Sequence, residues 1–231
     1  MTVTKRSRRL CAICGIREAT TRDHVPPRAV FHDPVPTDLI TVPACVKCNN
    51  EGSKYDSELR VFVSMHVGID SPLTHSLWKN YALRTVARNN KLRKHILDHG
   101  SQVNLKSPAG LHLGQAYAVP MSVRAHHAAI DRIVRGLYFH HFGQALGRRV
   151  SVHVNPLNSL PVGFSEEIKN WPAGWVGNKE FFYRFGRAAE SPLDSVWLLL
   201  FYGKYCVFAQ TKSKRRSNRR SQGDAQQAAR A

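Results

Sequence analysis

Two Cys-x-x-Cys pairs, Cys11-Ala12-Ile13-Cys14 and Cys45-Val46-Lys47-Cys48, constrain this chain more than any other feature. A tight turn points both sulfurs of such a pair the same way, and two pairs complete a closed tetrahedral thiolate site for zinc. The 30 residues between the pairs must then fold back so that two distant segments meet at one ion. A redox role needs one such motif, not two. Cys11, Cys14, Cys45 and Cys48 are therefore the expected ligands of a structural zinc that takes no part in chemistry. Cys206 stands apart in an apolar run and reads as a small core residue.

Charge supplies the second constraint. The 231 residues carry a formal net charge of +18. Residues 1–10 contribute +4 (Lys5, Arg6, Arg8, Arg9) and residues 211–231 contribute +6 (two Lys and five Arg against Asp224), leaving +8 between them. A fold needs no such excess, because charge of one sign repels itself. A polyanionic partner accounts for it, and DNA, double-stranded, is the expected one. Solvated tails that aid solubility are the plainer reading, but the excess persists between the tails. No run of 18 apolar residues and no apolar stretch behind the basic N-terminus is present, so neither a membrane span nor a secretory leader is expected. The expected setting is the cytosol, where thiols stay reduced.

The expected fold class is α+β: a small zinc-stapled unit over residues 11–66, then a mixed helix and strand region over 67–210. A flexible basic arm (1–10) and a disordered basic tail (211–231) flank them. Residues 16–22 suit a short strand that delivers Asp23 and His24 at its end. Pro26 and Pro27 force a bend, and residues 28–38 form a loop. Leu39-Ile40-Thr41-Val42 suits a second strand. Helix spacing then runs from Asn49 to His66 through Tyr55, Leu59, Phe62 and Val63. Ser71-Pro72 opens a second helix through Leu97, with Gly100 as its C-cap. Its Arg84, Arg88, Lys91, Arg93 and Lys94 are either a solvated face or a track for a phosphate backbone. Beyond it the pattern predicts a loop over 101–114, a strand over 116–123, a helix over 128–141 and a strand over 150–154. Residues 155–178 suit a loop and 181–185 a strand, and a hairpin is expected from 195–202 and 205–210.

Asp23 and His24 lie between the two cysteine pairs. A histidine after a strand is more often structural than catalytic, and the chain has 12 of them. His24 stands out by its frame: an oxygen donor beside it, prolines fixing the backbone after it and a knuckle on either flank. A base held on a small fold needs that rigidity.

The combination of Cys-x-x-Cys, Asp-His-x-Pro-Pro, Val-Pro-Ala-Cys-x-x-Cys-Asn and a downstream Lys resembles the HNH endonucleases of the ββα-metal fold. The resemblance covers about residues 9–60, roughly a quarter of the chain. It implies that His24 is the general base and that Asp23 and Asn49 bind one catalytic divalent cation, most suitably Mg²⁺. Asn50 is the substitute for Asn49 if the helix starts one residue later. Lys54 or a basic residue of the second helix would hold a flanking phosphate. The family's middle position, commonly Asn, falls at Asp38, which either orients the His24 ring or rests in the loop. The implied activity is metal-dependent hydrolysis of DNA phosphodiester bonds. Two other readings stay open: a non-catalytic zinc module that binds nucleic acid, and a protein-interaction module with basic tails.

Overall fold

A computed structural model of the chain describes residues 9–65, 72–107, 109–120, 123–157, 164–178 and 180–214. The basic arm, except for its last two residues, and the tail beyond residue 214 lie outside the described residues, as do His66, Gly68 and Ser71.

The β-branched residues between the cysteine pairs form a hairpin. Strand β1 (Thr21–Val25) pairs antiparallel with β2 (Ile40–Ala44), with Asp23 opposite Val42 and His24 opposite Thr41. Successive side chains of a strand point to opposite faces. Thr21, Asp23 and Val25 therefore share one face, and Arg22 and His24 the other. Asp23 and Val25 are buried, whereas Arg22 is exposed and His24 half-buried. Helix α1 (Val46–Met65) follows at once, so the second cysteine turn is its first turn and it starts three residues earlier than the spacing suggests. Gly52, Asp56, Leu59 and Val63 form a buried stripe along it.

The expected single helix from 71 to 97 is broken. It comprises α2 (Pro72–Leu77), a π-helical turn (Trp78–Ala82), α3 (Leu83–Arg88) and α4 (Asn90–His99). Asn89 makes the break. Its backbone is extended, and its side-chain oxygen accepts the Leu92 N–H at 3.1 Å, which caps α4. Gly100 is not a left-handed cap, since its φ is −75°. A Cβ there would strike the Tyr117 ring. The segment expected as loop is half of a hairpin, β3 (Ser101–Lys106) with β4 (His112–Ala118).

Helix α5 (Val123–Phe142) is buried at ten positions and touches α1, β1, β2 and β5. Strands β5 (Val150–Leu157), β6 (Ala173–Val176), β7 (Phe181–Arg187), β8 (Ser195–Phe201) and β9 (Tyr205–Ser213) form an antiparallel sheet in the order β5-β9-β8-β7-β6. The segment 155–178 thus holds the end of β5, a short helix α6 (Phe164–Lys169) and β6. Thr211–Ser213, expected in the disordered tail, close β9 instead: the Thr211 hydroxyl takes the Ser195 N–H at 2.8 Å and donates to the Leu193 carbonyl at 2.7 Å.

One apolar core joins both parts of the chain. It runs from Cys11, Val25 and Val42 through Leu59 and Val63 to Ile133 and Leu137, and on to Trp197 and Val207 of the sheet. The cysteine-bearing unit has no separate core. A smaller cluster of Val61, Phe62, Ala82 and Leu92 fixes the helices α2–α4 to the other side of α1. No helix among the described residues is long and apolar enough to cross a membrane.

Candidate functional site

The four sulfurs of Cys11, Cys14, Cys45 and Cys48 lie within 4.8 Å of one another. A tetrahedral ion with Zn–S bonds of about 2.3 Å spreads its sulfurs about 3.8 Å apart, so the cluster fits a structural metal such as zinc. Each knuckle is built by backbone. The Gly15 N–H returns to the Cys11 carbonyl at 2.8 Å with Gly15 at φ +65°, a conformation that suits glycine. The Ala12 N–H donates to the Pro43 carbonyl at 2.8 Å and anchors this turn on β2. In the other knuckle the Asn49 N–H closes on the Cys45 carbonyl at 3.1 Å. Burial pushes the Cys45 thiol up, but the Cys48 N–H and the Arg17 guanidinium, 3.9 Å from the sulfur, bring it down to about 6. That thiol is therefore ready to bind as thiolate.

Asn49 stands in the first turn of α1 and reaches back to β1. Its Nδ2 lies 3.4 Å from the Arg22 carbonyl and 3.5 Å from the Thr21 hydroxyl. The helix start is thereby tied to the strand that carries Asp23 and His24. Asn50 is exposed. Among the described residues it serves only as backbone acceptor for the Ser53 hydroxyl.

Asp23 departs from its implied role. Its carboxylate is buried and held by both forks of Arg132 from α5: Nε donates to Oδ2 at 2.7 Å, and Nη2 donates to Oδ1. Arg132 Nη1 also donates to both oxygens of Asp56, at 3.0 and 2.9 Å. Two carboxylates thus share one guanidinium, a cluster of net charge −1. Burial, joined by the Asp23 charge, raises Asp56 to about 6 despite Arg132. A cation placed at Asp23 would meet a fixed positive charge already holding both of its oxygens. In this arrangement Asp23 and Asn49 do not fit the implied divalent cation.

Asp38 also departs. Both of its oxygens accept the Gly177 N–H at 3.0 Å, in the turn between β6 and β7. It fastens the β1–β2 loop to the sheet and does not touch His24. Among the described residues no hydrogen bond holds the His24 ring.

The outward face of the hairpin supplies different neighbours. Arg22 stands two residues before His24 on the same face and donates through Nη2 to the Thr41 hydroxyl, directly opposite His24. The site thus joins an accessible imidazole to a guanidinium positioned beside it. Lys54 is exposed further along α1.

Arg132 and Asp56 are the site residues that sequence reasoning missed. A signal existed for Asp56: Gly52 and Asp56 fall on the stripe completed by Leu59 and Val63, where an apolar pair is the norm. Arg132 gave less, because a charged residue on a helix ordinarily faces water.

Comparison with family models, with curated proteins and with solved structures finds no match to this chain.

Proposed function

We propose that the chain is a nuclease of the HNH type that hydrolyses nucleic-acid phosphodiesters, with His24 as general base. The observation that carries this reading is the bond from Asn49, next after the fourth cysteine, to the backbone of the strand that presents His24. It supports a hairpin and helix stapled at one end by the four cysteines, with an accessible imidazole on the hairpin. Arg22 is the group that this chain adds, placed to hold a phosphate oxygen while His24 takes a proton from the attacking water. Arginine suits that task because its fork matches phosphate oxygens. The net charge of +18 supports a polyanionic substrate, and DNA is the substrate we propose.

A second reading is favoured by one specific observation. Arg132 holds Asp23, the residue that the resemblance assigns to the catalytic cation. On that reading the same unit binds nucleic acid and cleaves nothing.

Incubation of the purified protein with supercoiled, linear and single-stranded DNA separates the two. Parallel reactions with Mg²⁺ and with chelator are required, since the resemblance calls for a cation and the Arg132 pairing argues against one at Asp23. Relaxed or linear plasmid in either condition supports the nuclease. Binding with no cleavage in both supports the second reading.

A further inference from the structure

We propose that the groove between α1 and the α3–α4 turn is a binding site for the phosphate backbone of nucleic acid, outside the cysteine-stapled unit. The proposal rests on the nucleic-acid reading above but not on hydrolysis at His24.

The groove has a volume of about 640 Å³ and is open to solvent along its length. Lys54 and Arg60 of α1 line one wall, and Arg84, Arg88 and Lys91 line the other. Among the described residues that line it, Glu58 is the sole carboxylate, so five cations face one anion there. A salt-bridged surface would intersperse the two signs, and these walls do not.

Arg60 shows that the groove is built for an anion. It lies half-buried with its guanidinium 5.6 Å from the Tyr81 ring centre and Nη2 donating to the Thr85 hydroxyl at 3.2 Å. Its Nε is buried and has no hydrogen-bond partner. No carboxylate pairs with it among the described residues. Burial pulls its pKa down, and the Tyr81 phenol offsets that shift only in part. An arginine held in place by an aromatic ring and a hydroxyl loses less freedom on meeting a phosphate oxygen.

The break at Asn89 adds a second source of positive potential. It turns the chain so that α4 begins at the groove, where Asn89 and Lys91 both line the wall. No acidic residue occupies the first turn of α4. Helix starts of this kind attract anions through the peptide dipoles. Tyr81 donates to the Asp33 carboxylate and so ties this segment to the β1–β2 loop. The groove therefore keeps a fixed relation to the hairpin that carries His24. Five cations on two facing walls suit the repeating charge of a nucleic-acid strand.

The test uses full-length His24→Ala protein, so that cleavage cannot obscure binding. Affinity for a duplex is measured against salt by fluorescence anisotropy, with and without Arg84→Ala, Arg88→Ala and Lys91→Ala combined. All three residues are exposed, so the variant keeps its melting temperature. Each lost phosphate contact removes about 0.9 from the slope of log affinity against log salt, so the slope shrinks by roughly 2 to 3. A control replaces Arg148, Arg149 and Lys204, which are equally exposed, by Ala. A groove variant with an unchanged slope, or a control that loses as much, overturns the groove assignment. A parent protein that binds no duplex at low salt overturns the nucleic-acid reading along with it.

Discussion

Arg132 lies against the bare backbone of Gly52, and a Cβ on Gly52 would collide with its guanidinium. That absent side chain lets one arginine from α5 cross α1 and reach both Asp23 and Asp56. Gly136 of the same helix makes a similar allowance, since a Cβ there would meet the Val25 side chain. The two glycines thus set how closely α5 approaches the hairpin and α1.

Gly52→Ala is expected to destabilise the protein by displacing Arg132 and leaving two buried carboxylates without their partner. Removing one member of a buried ion pair typically costs about 3–5 kcal/mol, which is the loss expected for Arg132→Ala. Chemical denaturation of both single variants and the double variant tests the cause. If the collision acts through Arg132, the double variant loses little more than Arg132→Ala alone. Additive losses would show that Gly52 matters for another reason.

The four-cysteine cluster predicts one tightly bound zinc per chain. Structural zinc contributes folding free energy directly. Because the cysteines share their core with α5 and the sheet, removing the metal should lower the melting temperature of the whole protein and not of residues 11–65 alone. Elemental analysis gives the stoichiometry, and melting curves with and without chelator give the effect. A zinc-free protein with an unchanged curve would contradict the assignment.

The strand β9 sets where the chain can be cut. Deleting residues 215–231 removes five Arg and Asp224, a net +4, and leaves Thr211 in place. That truncation should keep the melting temperature and flatten the salt dependence of DNA binding. Deleting 211–231 should in addition lower the melting temperature, because the Thr211 hydroxyl serves both Ser195 and Leu193. Equal melting temperatures for the two truncations would refute the role of Thr211.

Stability should fall as pH drops from about 6.5 to about 4. Burial, with a neighbouring imidazole, lowers both His126 and His141 to about 4. An unfolded histidine titrates near 6.5, so the unfolded chain takes up these protons first and is favoured as pH falls. Asp56 opposes the trend: its folded value near 6 is raised, so its contribution is complete below the unfolded carboxylate range and is lost as pH rises through about 6. Two histidines outweigh one carboxylate. His126→Gln keeps a partner for the Tyr205 hydroxyl, 2.6 Å from the His126 ring, and should flatten the decline. A thermal-melt series across this range showing the same slope in both proteins would count against it.

The cysteine turns, the second strand and α1 were legible in the sequence because spacing, β-branching and helical period agree there, whereas the first strand begins only at Thr21 and carries Asp23 and His24 within it. The β8–β9 hairpin was legible for the same reason, its apolar run being punctuated at Gly203. The β3–β4 hairpin was not, since both of its faces are largely exposed and no apolar alternation marks it. The break at Asn89 was hidden because the helical spacing of apolar residues continues on both sides of it, although asparagine favours a cap over a helix interior. At the site, Asp23, His24 and Asn49 were identifiable by motif, but the Arg132 pairing spans 109 residues and depends on how α5 packs. Of the two readings of Asp38, the loop one holds, but its partner could not be read for a related reason: it is a backbone N–H 139 residues away, which leaves no local pattern.

The most direct test of the nuclease reading is plasmid cleavage by His24→Ala. The His24 side chain lies on the face of β1 opposite Asp23 and makes no hydrogen bond among the described residues, so the variant should fold, hold zinc and bind DNA as the parent does. A general base typically contributes about 10²- to 10⁴-fold in rate, and cleavage should fall by that much. Parental cleavage by a folded, zinc-loaded His24→Ala protein would contradict the account.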